Sequence, residues 1–241
     1  MATLYAPQIE GVKADNSAIT TDFSVALPTG IVAGELLLAF ISGGNNVDSF
    51  GSGWTELWNH SGRAAAWRAA TGSDALNVTM AGSNTVYSYV YRISGAQDPT
   101  VQPPEVSTGA SGSDAYPNPD SITPTGGTKD YLFIAYTGYD DDTTVTSGPS
   151  GYTNFYERNG GNAFIGYAAI ALATLAKITS TEDPGTFAIN SSESWYAFTV
   201  AVPPIVVGPA NISKINGVAK ASISKLNGVS IGAISKINGV E

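Results

Sequence analysis

The chain of 241 residues carries a formal net charge of −9, and this acidic balance argues against nucleic-acid binding, which needs clustered Lys and Arg. It contains no cysteine, which excludes disulfides and thiolate metal sites. Its 27 Gly, 13 Pro and 13% charged residues are typical of strands and turns and not of long surface helices.

Four segments have the aromatic and β-branched composition of strands, and turn residues bound each of them. They lie at 35–42, 85–93, 129–137 and 194–202. In the second segment the alternation of VYSYVYRI places Tyr87, Tyr89 and Tyr91 on one face, as a sandwich strand with one inner face requires. We expect this tyrosine face to be half-buried.

The strand segments recur in the same order in two halves of the chain, at about 30–96 and 128–203. Each half has a long apolar strand, a polar loop, a Ser-Gly-aromatic-Thr turn beginning at Ser52 or Ser150, and a closing aromatic strand. The stretch from 94 to 129 contains six prolines and is predicted to be a crossover with one or two edge strands. We therefore predict an all-β body, residues 1–202, folded as a jelly-roll-like antiparallel β-sandwich of two similar halves.

The longest apolar run of the body, 163–176, has 14 residues, whereas a membrane-spanning helix needs about 20. We interpret this run as buried strand and expect no membrane partner. The opening MATLYAPQIEG lacks the basic start and apolar run of a secretory signal, so we expect no cleaved leader.

Few residues suggest catalysis. His60 is the only histidine, so a Ser-His-Asp arrangement would depend on this one residue beside a predicted turn. Asp140, Asp141 and Asp142 could ligate Ca²⁺, although three adjacent carboxylates without the spaced Asp pattern are more typical of a solvated loop tip. We therefore expect a non-enzymatic protein that uses no cofactor and no metal.

Three aromatic residues, Trp58, Tyr139 and Tyr156, lie near predicted loops. Flat rings at such positions could stack on the apolar faces of a host surface glycan. The same rings could equally belong to the core of the sandwich, and we keep both interpretations.

The C-terminal part is a different kind of sequence. Residues 203–210 form a Pro-rich linker, and 211–241 hold three repeats with a period of 11 residues: NISKINGVAKA, SISKLNGVSIG and AISKINGVE. Each repeat has Asn-Gly between apolar residues, the strongest short signal for a β-hairpin. Such repeats cannot build a core alone and need neighbours. We predict that they mediate assembly through Ile212, Lys214, Ile215, Val218, Ile223, Lys225, Leu226, Val229, Ile234, Lys236, Ile237 and Val240.

The words ISKINGV, ISKLNGV and ISKINGV resemble short repeats found near the C-termini of many structural proteins of tailed bacteriophages. The segment LPTGIVAGELLLAFI, residues 27–41, resembles the opening of the β-sandwich domains that often accompany these repeats. The resemblance implies a protein located on the virion surface, as capsid decoration, head fibre or tail component. Its expected partners are other virion proteins and its own copies in a homo-oligomer, for which we expect a trimer. The alternative is a host-receptor or glycan-binding module, an adhesin of a tail fibre.

Overall fold

A computed structural model describes residues 6–140, 143–159 and 168–205, together with the pairs 214–215, 218–219, 225–226 and 229–230. Every regular element among these residues is a β-strand, which confirms the predicted all-β class. The described residues therefore include no helix of the length and apolar character needed to cross a membrane.

The first sheet of the body comes from residues 8–94. Its six strands are β1 (Gln8–Val25), β2 (Leu36–Gly43), β3 (Val47–Ser49), β4 (Thr55–His60), β5 (Arg63–Ala69) and β6 (Leu76–Ser94). They pair antiparallel in the order β1-β6-β2-β5-β4, and β3 pairs with the first part of β6.

The second sheet comes from residues 105–202. Its strands are β7 (Glu105–Val106), β8 (Ala110–Asp114), β9 (Lys129–Tyr139), β11 (Thr153–Asn159), β12 (Ala169–Thr179) and β14 (Glu193–Val202), while β10 (Val145–Ser147) and β13 (Ala188–Ile189) form a separate pair. The order is β11-β12-β9-β14-β7, and β8 also pairs with β14. The predicted crossover therefore does contain two edge strands, β7 and β8.

The two sheets have the same strand order. Starting from one edge, β1, β6, β2, β5 and β4 of the first sheet correspond to β7 with β8, β14, β9, β12 and β11 of the second. Consecutive strands stay within a sheet, whereas the strands of a jelly roll pass between its two sheets. We call a row of residues that pair directly across neighbouring strands a rung. The central rung of the first sheet, across β4, β5, β2 and β6, is Trp58, Ala65, Phe40 and Tyr89. The equivalent rung of the second sheet is Tyr156, Leu172, Tyr136 and Phe198.

These two rungs meet inside the sandwich. Phe40 stacks on Tyr136 with ring centroids 5.8 Å apart, and Tyr136 stacks on Phe198 at 4.3 Å. The tyrosine face of β6 packs here as well, and the expectation that it would be half-buried is wrong, because the opposite sheet covers it fully. The antiparallel β-sandwich is confirmed.

The outer face of each sheet is buried too. Alanines line these faces, and their small side chains allow a second layer to approach closely: Ala39, Ala64 and Ala66 in the first sheet, and Ala135, Ala171 and Ala173 in the second. β3 and Phe50 cover the first set, and β10, β13 and Phe187 cover the second. Burial on both faces explains the continuous apolar runs of β2 and β12.

The predicted hairpins of the tail are confirmed for two repeats. β15 (Lys214–Ile215) pairs with β16 (Val218–Ala219), and β17 (Lys225–Leu226) pairs with β18 (Val229–Ser230). In each case two sequence positions, Asn-Gly, separate the strands. The third repeat lies outside the described residues, as do Ile212, Ile223, Ile234, Lys236, Ile237 and Val240.

The beginning of the predicted linker is bonded to the body. The Ile205 amide donates to the Gly95 carbonyl over 2.8 Å, and the Gln97 amide donates to the Pro203 carbonyl over 2.9 Å. Residues 203–205 therefore extend the sandwich, and the rest of the linker lies outside the described residues.

We predict that Phe40→Ala lowers the free energy of unfolding by about 3–5 kcal/mol, because it leaves a cavity between the stacked rings. The matched control is Phe155→Ala, which removes an identical ring that is 41% exposed and should change stability by less than about 0.5 kcal/mol. Urea unfolding followed by tryptophan fluorescence measures both. Equal losses in the two variants would contradict the central position of Phe40.

Burial raises the pKa of Tyr89 to about 12 and raises the pKa of Tyr91 in the same direction. Tyrosine in the unfolded chain ionises near pH 10. Neutral Tyr89 therefore stabilises the fold fully below pH 10, and its contribution is lost as pH rises from about 10 to about 12. An ultraviolet titration should show a smaller tyrosinate fraction at pH 11 for native protein than for protein in urea, and Tyr89→Phe should reduce the difference.

Candidate functional site

A polar cleft lies at one end of the sandwich. The loop after β2 and the turn between β4 and β5 meet the ends of β9 and β14 there. The cleft has a volume of about 490 Å³. Its lining consists of Gly44, Asn45, Asn46, Ser61, Arg63, Ala81, Asp140, Ser194 and Tyr196.

Arg63 forms the floor of the polar cleft and is only 4% exposed. Its guanidinium makes an ion pair with Asp140, donates from Nη1 to the Ser61 carbonyl over 2.6 Å, and lies 5.6 Å from the centroid of the Tyr196 ring. Its Nε has no hydrogen-bond acceptor among the described residues. A buried guanidinium is costly unless it is fully paired, so we expect Arg63 to add little to the stability of the fold.

Gly138 leaves room for the Arg63 side chain. A Cβ atom at Gly138 would lie 2.5 Å from the Cγ of Arg63, so the arginine stem crosses β9 where only glycine leaves room. This contact holds the guanidinium between the two sheets, because Arg63 belongs to the first sheet and Gly138 to the second.

The equivalent rungs show what Arg63 replaces. Its rung, across β4, β5, β2 and β6, is His60, Arg63, Ser42 and Tyr87. The equivalent rung of the second sheet is Arg158, Ile170, Gly138 and Tyr196. Ile170 is fully buried in the inter-sheet core. The position that holds an arginine in one half therefore holds an apolar side chain in the other.

An edge groove of about 290 Å³ adjoins the polar cleft and shares Tyr196 with it. Trp58 lies in this groove, 4.7 Å from the Phe198 ring, and its Nε1 donates to the Thr108 carbonyl over 3.1 Å. The exposed His60 ring meets Tyr196 edge-on at 5.0 Å. Gly109, with φ +90°, supports this arrangement, because a Cβ there would lie 2.8 Å from the indole nitrogen of Trp58.

The structure separates the three predicted glycan contacts. Trp58 is half-buried and lines the edge groove, while Tyr156 packs against Tyr89 at the opposite edge of the sandwich. The prediction that Tyr139 is a surface contact is wrong, because its ring is fully buried and its hydroxyl lies 3.2 Å from Glu157. Burial raises the pKa of Tyr139, and the nearby Glu157 carboxylate raises it further.

The predicted calcium ligands are only partly described. Asp140 pairs with Arg63, and Asp141 and Asp142 lie outside the described residues. Within the described residues, no group of three His, Asp or Glu side chains has a geometry that could hold a metal ion. His60 closes β4 beside a turn in which Ser61 and Gly62 have positive φ.

Comparison with known proteins yields no relative, since no family model, curated protein or solved structure matches the chain. Sequence reasoning missed Arg63, Tyr196 and Asn45, although one signal was present: Arg63 opens the apolar run RAAAW, where a charged residue is out of place.

We predict that Arg63→Ile leaves the free energy of unfolding unchanged or raises it, because an apolar side chain of the kind found at Ile170 removes a buried charge. Asp140→Ala should instead lower it by about 1–2 kcal/mol, because it leaves the buried guanidinium without its partner, although solvent screens the 44% exposed carboxylate. Thermal and urea unfolding of both variants test this order. A large loss in Arg63→Ile would show that the arginine is needed for folding.

Proposed function

We propose that this protein is a non-enzymatic structural component of a bacteriophage virion, exposed on the particle as capsid decoration, head fibre or tail component, and that it assembles through its C-terminal repeats. The observation that supports this proposal is the pairing of two successive repeats as hairpins with the same register. Lys214 pairs with Ala219 in the first, and Lys225 pairs with Ser230 in the second.

Hairpins of this size are not stable in isolation. Each has two residues per strand, and even a longer isolated hairpin is marginally stable in water. Repeated units of this kind become stable when they stack on neighbours. A symmetric homo-oligomer supplies identical neighbours to every copy, and we propose a trimer.

Charge supports the same assignment. Residues 1–210 carry 7 basic and 19 acidic side chains, a net charge of −12, whereas residues 211–241 carry 4 Lys and one Glu, a net charge of +3. Each repeat contributes a lysine at the same position: Lys214, Lys225 and Lys236. These lysines would guide the tail onto an acidic neighbouring protein or onto the acidic bodies of its own oligomer, since complementary charge steers association.

We predict that truncation after Val207 converts a trimer into a monomer, because it removes the repeats that contact one another. Light scattering of the full chain and the truncated chain measures the two masses, and circular dichroism checks that the truncated body remains folded. A truncated chain that is still trimeric would contradict assembly through the repeats, and a full chain that is monomeric would contradict self-association.

A charge-reversal variant tests the lysines in the same assay. Replacing Lys214, Lys225 and Lys236 by Glu should abolish association and incorporation into particles, while replacing all three by Arg should preserve both. Normal incorporation of the Glu variant would rule out a steering contribution from these side chains.

A further inference from the structure

We propose that the polar cleft is a binding site for a neutral oligosaccharide. This proposal concerns only the sandwich body and holds whether or not the tail assembles.

The polar cleft offers unengaged hydrogen-bonding groups at its rim. The Asn45 amide makes no side-chain hydrogen bond to any other described residue, and Asn46 uses only its Oδ1, which accepts from the Gly62 amide over 3.0 Å. Asp140 pairs with Arg63 through one carboxylate oxygen, and its side chain remains 44% exposed. Amides and a carboxylate together match the alternating donors and acceptors of sugar hydroxyls.

Aromatic rings continue the site beyond these groups. Tyr196 lines both the polar cleft and the edge groove, and its ring lies within 6.4 Å of the Trp58 ring. Both rings are partly exposed. Aromatic rings with one solvent-exposed edge can stack on the apolar C–H faces of a sugar. Two adjoining depressions that share one ring provide space for more than one sugar unit.

The charges of the site favour a neutral ligand. The Arg63 guanidinium is already neutralised by Asp140, so the polar cleft has no unpaired cation for a phosphate or carboxylate. The body around it carries a net charge of −12 and repels polyanions. An apolar partner is equally disfavoured, because most of the lining residues are Asn, Ser, Arg, Asp and Gly.

The arginine itself points to selection for binding. The equivalent position in the other half holds Ile170, which shows that this fold accepts an apolar residue there. Arg63 instead orients Asp140 and lies 5.6 Å from the Tyr196 ring centroid, so it positions a hydrogen-bonding group and an aromatic ring together. Such positioning suits a ligand that needs both groups at once.

The test is binding of the full-length protein to an array of neutral hexose and N-acetylhexosamine oligosaccharides, with hyaluronan and sialylated glycans as acidic probes. We expect binding to at least one neutral oligosaccharide. Asn45→Ala combined with Tyr196→Ala should weaken binding of that oligosaccharide at least tenfold in calorimetry.

The matched control is Asn118→Ala combined with Tyr116→Ala, which removes the same two side-chain types at exposed positions outside the polar cleft and the edge groove. It should bind like the unchanged protein, and both double variants should remain folded at the temperature of the assay. A further variant, Asn45→Ala alone, keeps the test informative if the double variant unfolds. The proposal is overturned if no neutral oligosaccharide binds, if acidic glycans bind more tightly, or if the cleft and control variants weaken binding equally.

Discussion

The stacking of Phe40 on Tyr136 joins the middle strands of the two sheets, and most of the body is arranged around this contact. Phe40 lies on β2 and Tyr136 on β9, and each of these strands has two strands of its own sheet on either side. Large rings fill the space between the sheets. On the outer faces, alanines allow the β3 and β10–β13 layers to approach closely. The result is a sandwich whose central strands are buried on both faces, which accounts for their almost unbroken apolar sequences.

Two core tyrosines, Tyr136 and Tyr89, join the sheets through their hydroxyl groups. The Tyr136 hydroxyl of the second sheet donates to the Ile41 carbonyl of the first over 2.8 Å, and the Tyr89 hydroxyl of the first donates to the Glu157 carbonyl of the second over 2.8 Å. Apolar packing alone would tolerate small shifts of one sheet over the other. A buried hydroxyl that has to reach one particular carbonyl does not, because losing that bond leaves a buried polar group unpaired.

Sequence patterns predicted the elements better than the site. Aromatic and β-branched composition located β2, β9 and β14 to within a few residues, and the Asn-Gly words predicted the tail hairpins. Strand alternation could not reveal that both faces of β6 are covered, since burial of the second face depends on residues far away in the chain. The polar cleft was missed for the same reason: Arg63 and Tyr196 are separated by more than half of the chain and meet only when the sheets stack.

The matching strand orders lead us to infer that the two halves arose from one ancestral unit, and their differences then become informative. At one edge the long strand β1 packs beside Tyr156 around a depression of about 410 Å³, and Arg158 donates to Asn16. At the equivalent edge the short strands β7 and β8 replace β1, His60 stands exposed, and Tyr196 faces both the edge groove and the polar cleft. Arg63 and Ile170, the two equivalent positions, are both buried. A difference that places a buried arginine in one half and a buried isoleucine at the equivalent position of the other is therefore better explained by what the polar cleft binds than by the stability of the fold.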